Sequence, residues 1–247
     1  MPTYRLDLAY DGTGFRGWAR NDGVRTVQEV VEEALARVVG EDVATSVAGR
    51  TDAGVHATGQ VVSFRTTRPA DPGRLQRAIT SLLGPEVVAL RAAEVPDGFD
   101  ARFSARWRRY RYTLDTGPAP DPLRRLSAWH VPWPLDPAPM NTAAAGFVGE
   151  HDFASFCRAA EGRSTVRRVL SAGWRTAGGE ELVFEVSATS FCHQLVRSMV
   201  AFCVDAGRGR VDPGSLPEVL AARDRNASRG AAPPHGLVLV EVGYGPG

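Results

Sequence analysis

The chain contains no lysine; all 29 of its basic residues are arginine. Set against 28 acidic residues, they leave a formal net charge of +1. A balance so near neutral excludes binding to nucleic acid through bulk positive charge, so any RNA contact must come from local arginine tracks and weaken with salt. Cysteine is scarce as well: Cys157, Cys192 and Cys203 form an odd set without a CxxC pair. That excludes a disulfide-stapled scaffold and a four-cysteine zinc site, and it predicts reduced, buried thiols in a cytoplasmic protein. No apolar run reaches the ~18 residues that a membrane span needs. The opening Met1-Pro2-Thr3-Tyr4-Arg5-Leu6-Asp7 lacks the apolar core of a secretory signal. A length of 247 residues allows one large domain or two small ones, each with a real core.

What is present concentrates in one stretch. Between strand-like runs at residues 43–48 and 60–64 lies Gly49-Arg50-Thr51-Asp52-Ala53-Gly54-Val55-His56-Ala57-Thr58-Gly59. A hairpin needs only about two to five linking residues. This link is longer, and it sets an arginine, an aspartate and a histidine among three glycines. Charged groups held on a loop above a rigid sheet are where chemistry usually sits. Composition alone leaves a plain structural loop equally open, since glycine permits positive φ and Asp or Thr caps turns. A phosphate cradle fits worse, because no Lys-Ser/Thr pair follows Gly54. One Asp and one His make no metal set, and His151, His193 and Cys157 do not form a convincing zinc site, so no metal is expected.

The periodicity reads as an α+β protein. Tyr4, Leu6, Leu8 and Tyr10 alternate as a half-buried strand. Thr26 and Glu29 form a capping box before a helix with Val27, Val30, Val31, Ala34, Leu35 and Val38 on one face, stopped by Gly40. Asp71-Pro72 opens a second helix, which ends at Gly84, and residues 86–95 read as a strand. The order β-α-β-β-α-β is the split βαβ pattern. Residues 104–247 repeat it in outline, with strands at 106–116, 166–176, 180–187 and 237–244 and a helix at 136–148. A second helix there would be capped by Ser190, with Cys192, Leu195, Val196, Met199, Val200 and Cys203 on its buried face. The prediction is two ferredoxin-like halves, 1–103 and 104–247, forming a broad antiparallel sheet with a central cleft.

Across the junction of the two halves, Arg102, Arg106, Arg108, Arg109 and Arg111 interleave with Trp107, Tyr110 and Tyr112. Arginine forks bind phosphate and stack on bases, so this track suits an RNA surface; a solvated strand face is the plainer reading.

The wording of the Asp52 loop resembles the signature of TruA-type tRNA pseudouridine synthases. Tyr10-Asp11-Gly12 with Gly17-Trp18, Phe99-Asp100-Ala101-Arg102-Phe103-Ser104-Ala105, Arg109-Tyr110-Arg111-Tyr112, Phe191-Cys192-His193-Gln194-Leu195-Val196-Arg197 and Ala232-Pro233-Pro234-His235-Gly236-Leu237 are similar to further family segments. The chain departs at Ala19-Arg20-Asn21, where glutamines are usual, and at Gln194-Leu195, where His-Met is frequent. The resemblance implies the pseudouridine synthase fold. It also implies a cofactor-free isomerase that converts uridine to pseudouridine at positions 38, 39 and 40 of the tRNA anticodon stem-loop, working as a cytoplasmic homodimer.

The same resemblance distributes roles. Asp52 is the catalytic carboxylate, acting on the base or on C1′ of the sugar. Arg197 is its basic partner; an arginine within a few ångströms lowers a carboxylate pKa by about 1–3 units and so opposes the rise that burial brings. Tyr110 stacks on the target uracil, and a stack of roughly 1–3 kcal/mol offsets much of the cost of flipping a base. Arg50, His56, Arg109 and Arg111 join Tyr110 as substrate-binding candidates, with His56 as readily a brace for the loop. For Arg50 the plainer reading is an ion pair with Glu29 or Asp22. The competing functions are a pseudouridine synthase with another RNA target and a non-catalytic RNA-binding protein of the same fold.

Overall fold

A computed structural model describes residues 1–158, 162 and 164–245. In chain order the elements are β1 (Thr3–Tyr10), α1 (Val27–Val39), β2 (Thr45–Val47), β3 (His56–Arg65), α2 (Pro72–Leu83), β4 (Val87–Val95) and β5 (Trp107–Asp115). There follow β6 (Trp129–His130), α3 (Pro137–Gly146), β7 (Gly149–Asp152), β8 (Val166–Thr176), β9 (Glu181–Ala188), α4 (Leu195–Gly207), α5 (Leu216–Ala222) and β10 (Leu237–Gly243). The chain divides into two compact units, Met1–Arg108 with Val238–Gly247, and Arg109–Leu237. Element order places the boundary at 103/104; the first unit runs five residues further, to Arg108, and includes β10 from Val238.

In the first unit the strand order is β4-β1-β3-β10. β1 pairs antiparallel with both β3 and β4, and β10 lies parallel to β3, with Val238 opposite His56 and Leu239 opposite Ala57. Thr26 caps α1 by accepting from the Glu29 N–H, and Gly40 ends it in the left-handed region at φ 76°. Asp71 caps α2 with Pro72 at its first turn. Leu35, Leu75 and Ile79 from these helices are fully buried, as are Tyr4, Leu6, Leu8 and Val62 from the sheet.

In the second unit the order is β5-β9-β8-β7, with β6 paired to β5. β8 and β9 form the expected antiparallel hairpin. α3 packs on α4 and β8. Phe147, Phe153, Phe156 and Phe202 meet largely edge to face beneath them. β6 and β7 are absent from the sequence reading because strands of two and four residues show no usable alternation.

Two expectations fail at α4. Ser190 does not cap it; Gln194, in the left-handed conformation at φ 67°, precedes the first helical residue. A turn from Leu195 N–H to Cys192 O occupies the stretch where the first helical turn was expected. Cys192 therefore lies outside the helix and off its buried face. Nor are Cys157 and Cys192 reduced thiols: they are joined as a disulfide, with Cα atoms 5.8 Å apart. Only Cys203 is a free, buried thiol.

Candidate active site

The loop that carries Asp52 spans residues 48–55, because β3 already begins at His56. Its tip is a turn in which the Val55 N–H donates to Asp52 O at 3.1 Å. The segment after β1 runs alongside. Trp18 N–H donates to Thr51 O at 3.0 Å, and Gly54 N–H to Phe15 O at 3.3 Å. Contact is so close that a Cβ on Gly12 would stand 2.1 Å from Val55 O. At Gly17, φ is +97° and a Cβ would meet Thr51 O at 2.9 Å. Separate motifs in the sequence are thus two sides of one backbone-to-backbone seam.

Beneath the seam sits a buried polar knot. Gln60 on β3 is fully buried. Its Nε2 donates to Gly49 O at 2.7 Å and to the Tyr10 hydroxyl at 3.2 Å. Its Oε1 faces the Gly49 N–H at 3.4 Å and the Val61 N–H at 3.2 Å. The Tyr10 hydroxyl also lies 2.8 Å from Thr51 Oγ1. Burial pushes the Tyr10 pKa up to about 12 despite the hydrogen bonds from Thr51 and Gln60, so the phenol stays neutral and serves as a joint. Asp52 is held from both sides, by Thr51 next to it and by the Gly49 end of the loop.

Asp52 itself is half-buried and Arg50 is exposed. Arg50 makes no ion pair with Glu29 or Asp22 among the described residues. His56 is buried, with Nδ1 3.1 Å from both the Gly12 N–H and Asp11 Oδ1. It braces the seam. Burial would raise the Asp11 pKa, but hydrogen bonds from Thr13 and the nearby His56 outweigh it and hold the carboxyl below its ordinary range.

The second unit holds Tyr110, Arg109, Arg111 and Arg197. On β5, Tyr110, Tyr112 and Leu114 are buried on one face. Tyr110 packs edge to face on Phe191, with centroids 4.9 Å apart. Tyr112 is core, as expected, and its hydroxyl donates to Pro233 O at 2.8 Å. Arg197, half-buried on α4, donates from Nε to Ala232 O at 2.6 Å, and the Ala232 N–H returns a bond to Arg197 O at 2.9 Å. The closing segment is therefore tied to both α4 and β5. Burial lifts the Tyr112 pKa far above the ordinary phenol range, with the Arg197 charge opposing it. Arg111 pairs with Glu185 at 2.8 Å on the surface, and Arg109 is half-buried.

A family model described as tRNA pseudouridine synthase matches residues 8–104 and 143–245, a span that includes Asp52 and Arg197. The chain belongs to the tRNA pseudouridine synthase family. It is 45% identical over 98% of its length to the tRNA pseudouridine synthase A of Leifsonia xyli subsp. xyli (strain CTCB07), covering 91% of that protein. The protein of the same name from Frankia casuarinae is 46% identical over 98% of this chain and 89% of its own. That from Methylobacterium sp. (strain 4-46) is 45% identical over 99% and 98%.

In this synthase the arginine track divides. Arg102 and Arg106 are exposed, but Arg108 is buried and is not part of an RNA-facing surface. Its Nε and Nη2 donate to Ala48 O at 2.9 and 2.7 Å, Nη2 also to Arg102 O at 2.8 Å, and Nη1 to Ala105 O at 3.2 Å. The guanidinium clamps the root of the Asp52 loop to the segment at residues 102–105. The departures from the family wording are absorbed locally. Arg20 lies 3.5 Å from Glu32 on α1, and Gln194 Oε1 accepts from Arg225 at 2.6 Å. Sequence reasoning missed Gln60, Tyr10 and Arg108 as supports. A signal existed for Arg108: period two places it on the face of Tyr110 and Tyr112.

Proposed function

We propose that this synthase isomerises uridine to pseudouridine in tRNA, with Asp52 as the carboxylate that acts on the target nucleotide. The observation that carries the reading is the presentation of Asp52. It stands half-exposed on a loop fixed at Gly49, Thr51, Gly54 and Val55. A nucleophile needs this combination of access and fixed aim.

The chemistry is a rearrangement. The N1–C1′ bond breaks, the uracil turns, C5 bonds to C1′, the hydrogen of C5 leaves as a proton, and N1 takes one up. No atom is added and no electron is exchanged with a cofactor. Attack by the carboxylate at C1′ or at the base gives the same balance. Tyr110 supplies the ring that stacks on the uracil, and Arg197 the cation that keeps a carboxylate ionised. Arg50, Arg109 and Arg111 contact RNA, with Arg111 exchanging Glu185 for phosphate. The substrate site is the anticodon arm at positions 38 to 40, and the working form is a cytoplasmic homodimer.

The test is tritium release from tRNA labelled at uracil C5, using wild type and Asp52→Ala side by side. Release by wild type alone supports the reading. Release by both shows that another group does the chemistry, and release by neither from unmodified tRNA removes the assigned substrate.

A further inference from the structure

Phe103 is 79% exposed, yet the turn that carries it is tied down by hydrogen bonds on several sides. Asp100 Oδ1 accepts from the Arg102 and Phe103 N–H groups at 2.8 and 2.9 Å, and from Ser46 Oγ at 2.9 Å. Ser104 N–H donates to Asp100 O, and Asp100 N–H to Ser104 Oγ. Ala101 is held on both sides, donating to Ser63 Oγ at 2.9 Å and accepting from the Tyr244 hydroxyl at 2.9 Å. Arg108 grips the Arg102 carbonyl and, with the same guanidinium, Ala48 at the root of the Asp52 loop. The backbone is pinned from within while the aromatic ring points to water.

The ring's surroundings state what it suits. The Arg102 guanidinium lies 5.2 Å from its centroid, and Arg106 is exposed three residues on. The carboxylate of this turn, Asp100, accepts from three donors through Oδ1, and its single charge is outweighed by the two exposed arginines, Arg102 and Arg106. A single ring among arginines is far too small an apolar patch for a stable protein interface. It has the dimensions of one nucleobase, with phosphate-binding forks beside it.

We propose that Phe103 is a stacking platform for one unpaired base of the RNA substrate, with Arg102 and Arg106 holding the adjoining phosphates. The proposal rests on the tRNA reading above. It places an RNA-positioning element on the unit that carries Asp52, rigidly joined to that loop through Arg108. Stacking requires a preset ring, and the anchored turn spends little conformational freedom when RNA arrives.

The experiment measures tRNA binding and pseudouridine formation for wild type, Phe103→Ala, Phe103→Leu and Phe103→Trp, with sedimentation of each free protein. Loss of one base stack predicts roughly five- to 150-fold weaker tRNA binding for Ala. Leu, apolar but without a π-face, should also bind weakly, and Trp should bind at least as well as wild type. The loss should fall on KM more than on kcat. Equal affinity of Ala and wild type, in a preparation whose wild type forms pseudouridine, overturns the platform and leaves the enzymatic reading intact. Full rescue by Leu overturns stacking in favour of plain apolar contact. A change in sedimentation with Ala assigns the surface to a second copy of the chain and also overturns it. Wild type that binds tRNA without product strikes at the enzymatic reading instead.

Discussion

Replacing Gln60 with leucine keeps the side chain's approximate volume and removes every polar contact it makes. The carboxamide donates to Gly49 O at 2.7 Å and to the Tyr10 hydroxyl at 3.2 Å, and it faces two N–H groups at 3.2 and 3.4 Å. The two donated bonds carry most of the energy, at about 1 kcal/mol each. The Gly49 carbonyl loses a buried donor, whereas the Tyr10 hydroxyl keeps Thr51. Adding about 1–2 kcal/mol for a partly orphaned carbonyl gives a destabilisation of about 3–4 kcal/mol. At roughly 2–4 °C per kcal/mol, the melting midpoint should fall by about 6–16 °C, followed by circular dichroism. The effect on turnover should exceed what lost folded protein explains. The Gly49 end of the Asp52 loop is no longer tied to β3, and a displacement near 1 Å at a reacting group costs on the order of a hundredfold. Tritium release below 25 °C, where the variant is still folded, measures that part separately. A Gln60→Leu protein with wild-type melting and wild-type turnover would refute the claim that this amide holds the Asp52 loop.

Other outcomes follow from the same geometry. Tyr112→Phe removes the hydroxyl bonded to Pro233 O and should cost about 1–2 kcal/mol, read by urea denaturation. Arg108→Met should destabilise by about 2–4 kcal/mol, chiefly through the buried Ala48 carbonyl, and Arg108→Lys should recover only part of it because one ammonium cannot span three carbonyls; equal melting of all three proteins would dismiss the clamp. Glu41 has its pKa lowered from 4.5 to about 2 by bonds from the Thr66 and Thr67 side chains, reinforced by the backbone of Thr67 and Arg68. A depressed carboxylate stabilises the fold above pH 4.5, and that support is lost as pH falls toward about 2. Glu41→Gln should therefore lower stability above pH 4.5 and flatten the acid limb of the curve below it, the two proteins converging as pH falls toward about 2; an unaltered limb would show that the Thr66 and Thr67 bonds carry no linkage.

The parts of the fold that were legible are those whose physics is local. Thr26 and Gly40 bracket α1, Asp71-Pro72 opens α2, and alternation marks β1 and β5, because caps and periodicity act within a few residues. Asp52 was legible only through the wording of its loop, since one carboxylate among glycines fits a turn equally well. The supports were hidden for a different reason. Gln60 reads as an ordinary polar residue of a strand, and what makes it a keystone is Gly49, eleven positions back, together with Tyr10 on another strand. The Cys157–Cys192 pair and the false start of α4 fail alike, because each depends on a partner that spacing does not reveal: 35 residues separate the two cysteines, and the Gln194 side chain is taken by Arg225.

The parallel pairing of β10 with β3 has a consequence for the order in which the protein is made. The edge of β3 beside His56 waits for Val238 and Leu239, and Gly59 leaves room for Val240, whose carbonyl a Cβ would meet at 2.2 Å. At about 5–20 residues per second, a ribosome needs roughly ten to thirty-five seconds to travel from β3 to β10. Throughout that interval the strand that bears the far end of the Asp52 loop lacks its parallel neighbour. The unit translated first is thus completed by a strand translated only after the whole of the second unit, and β3 gains its parallel partner when Val238 and Leu239 have left the ribosome.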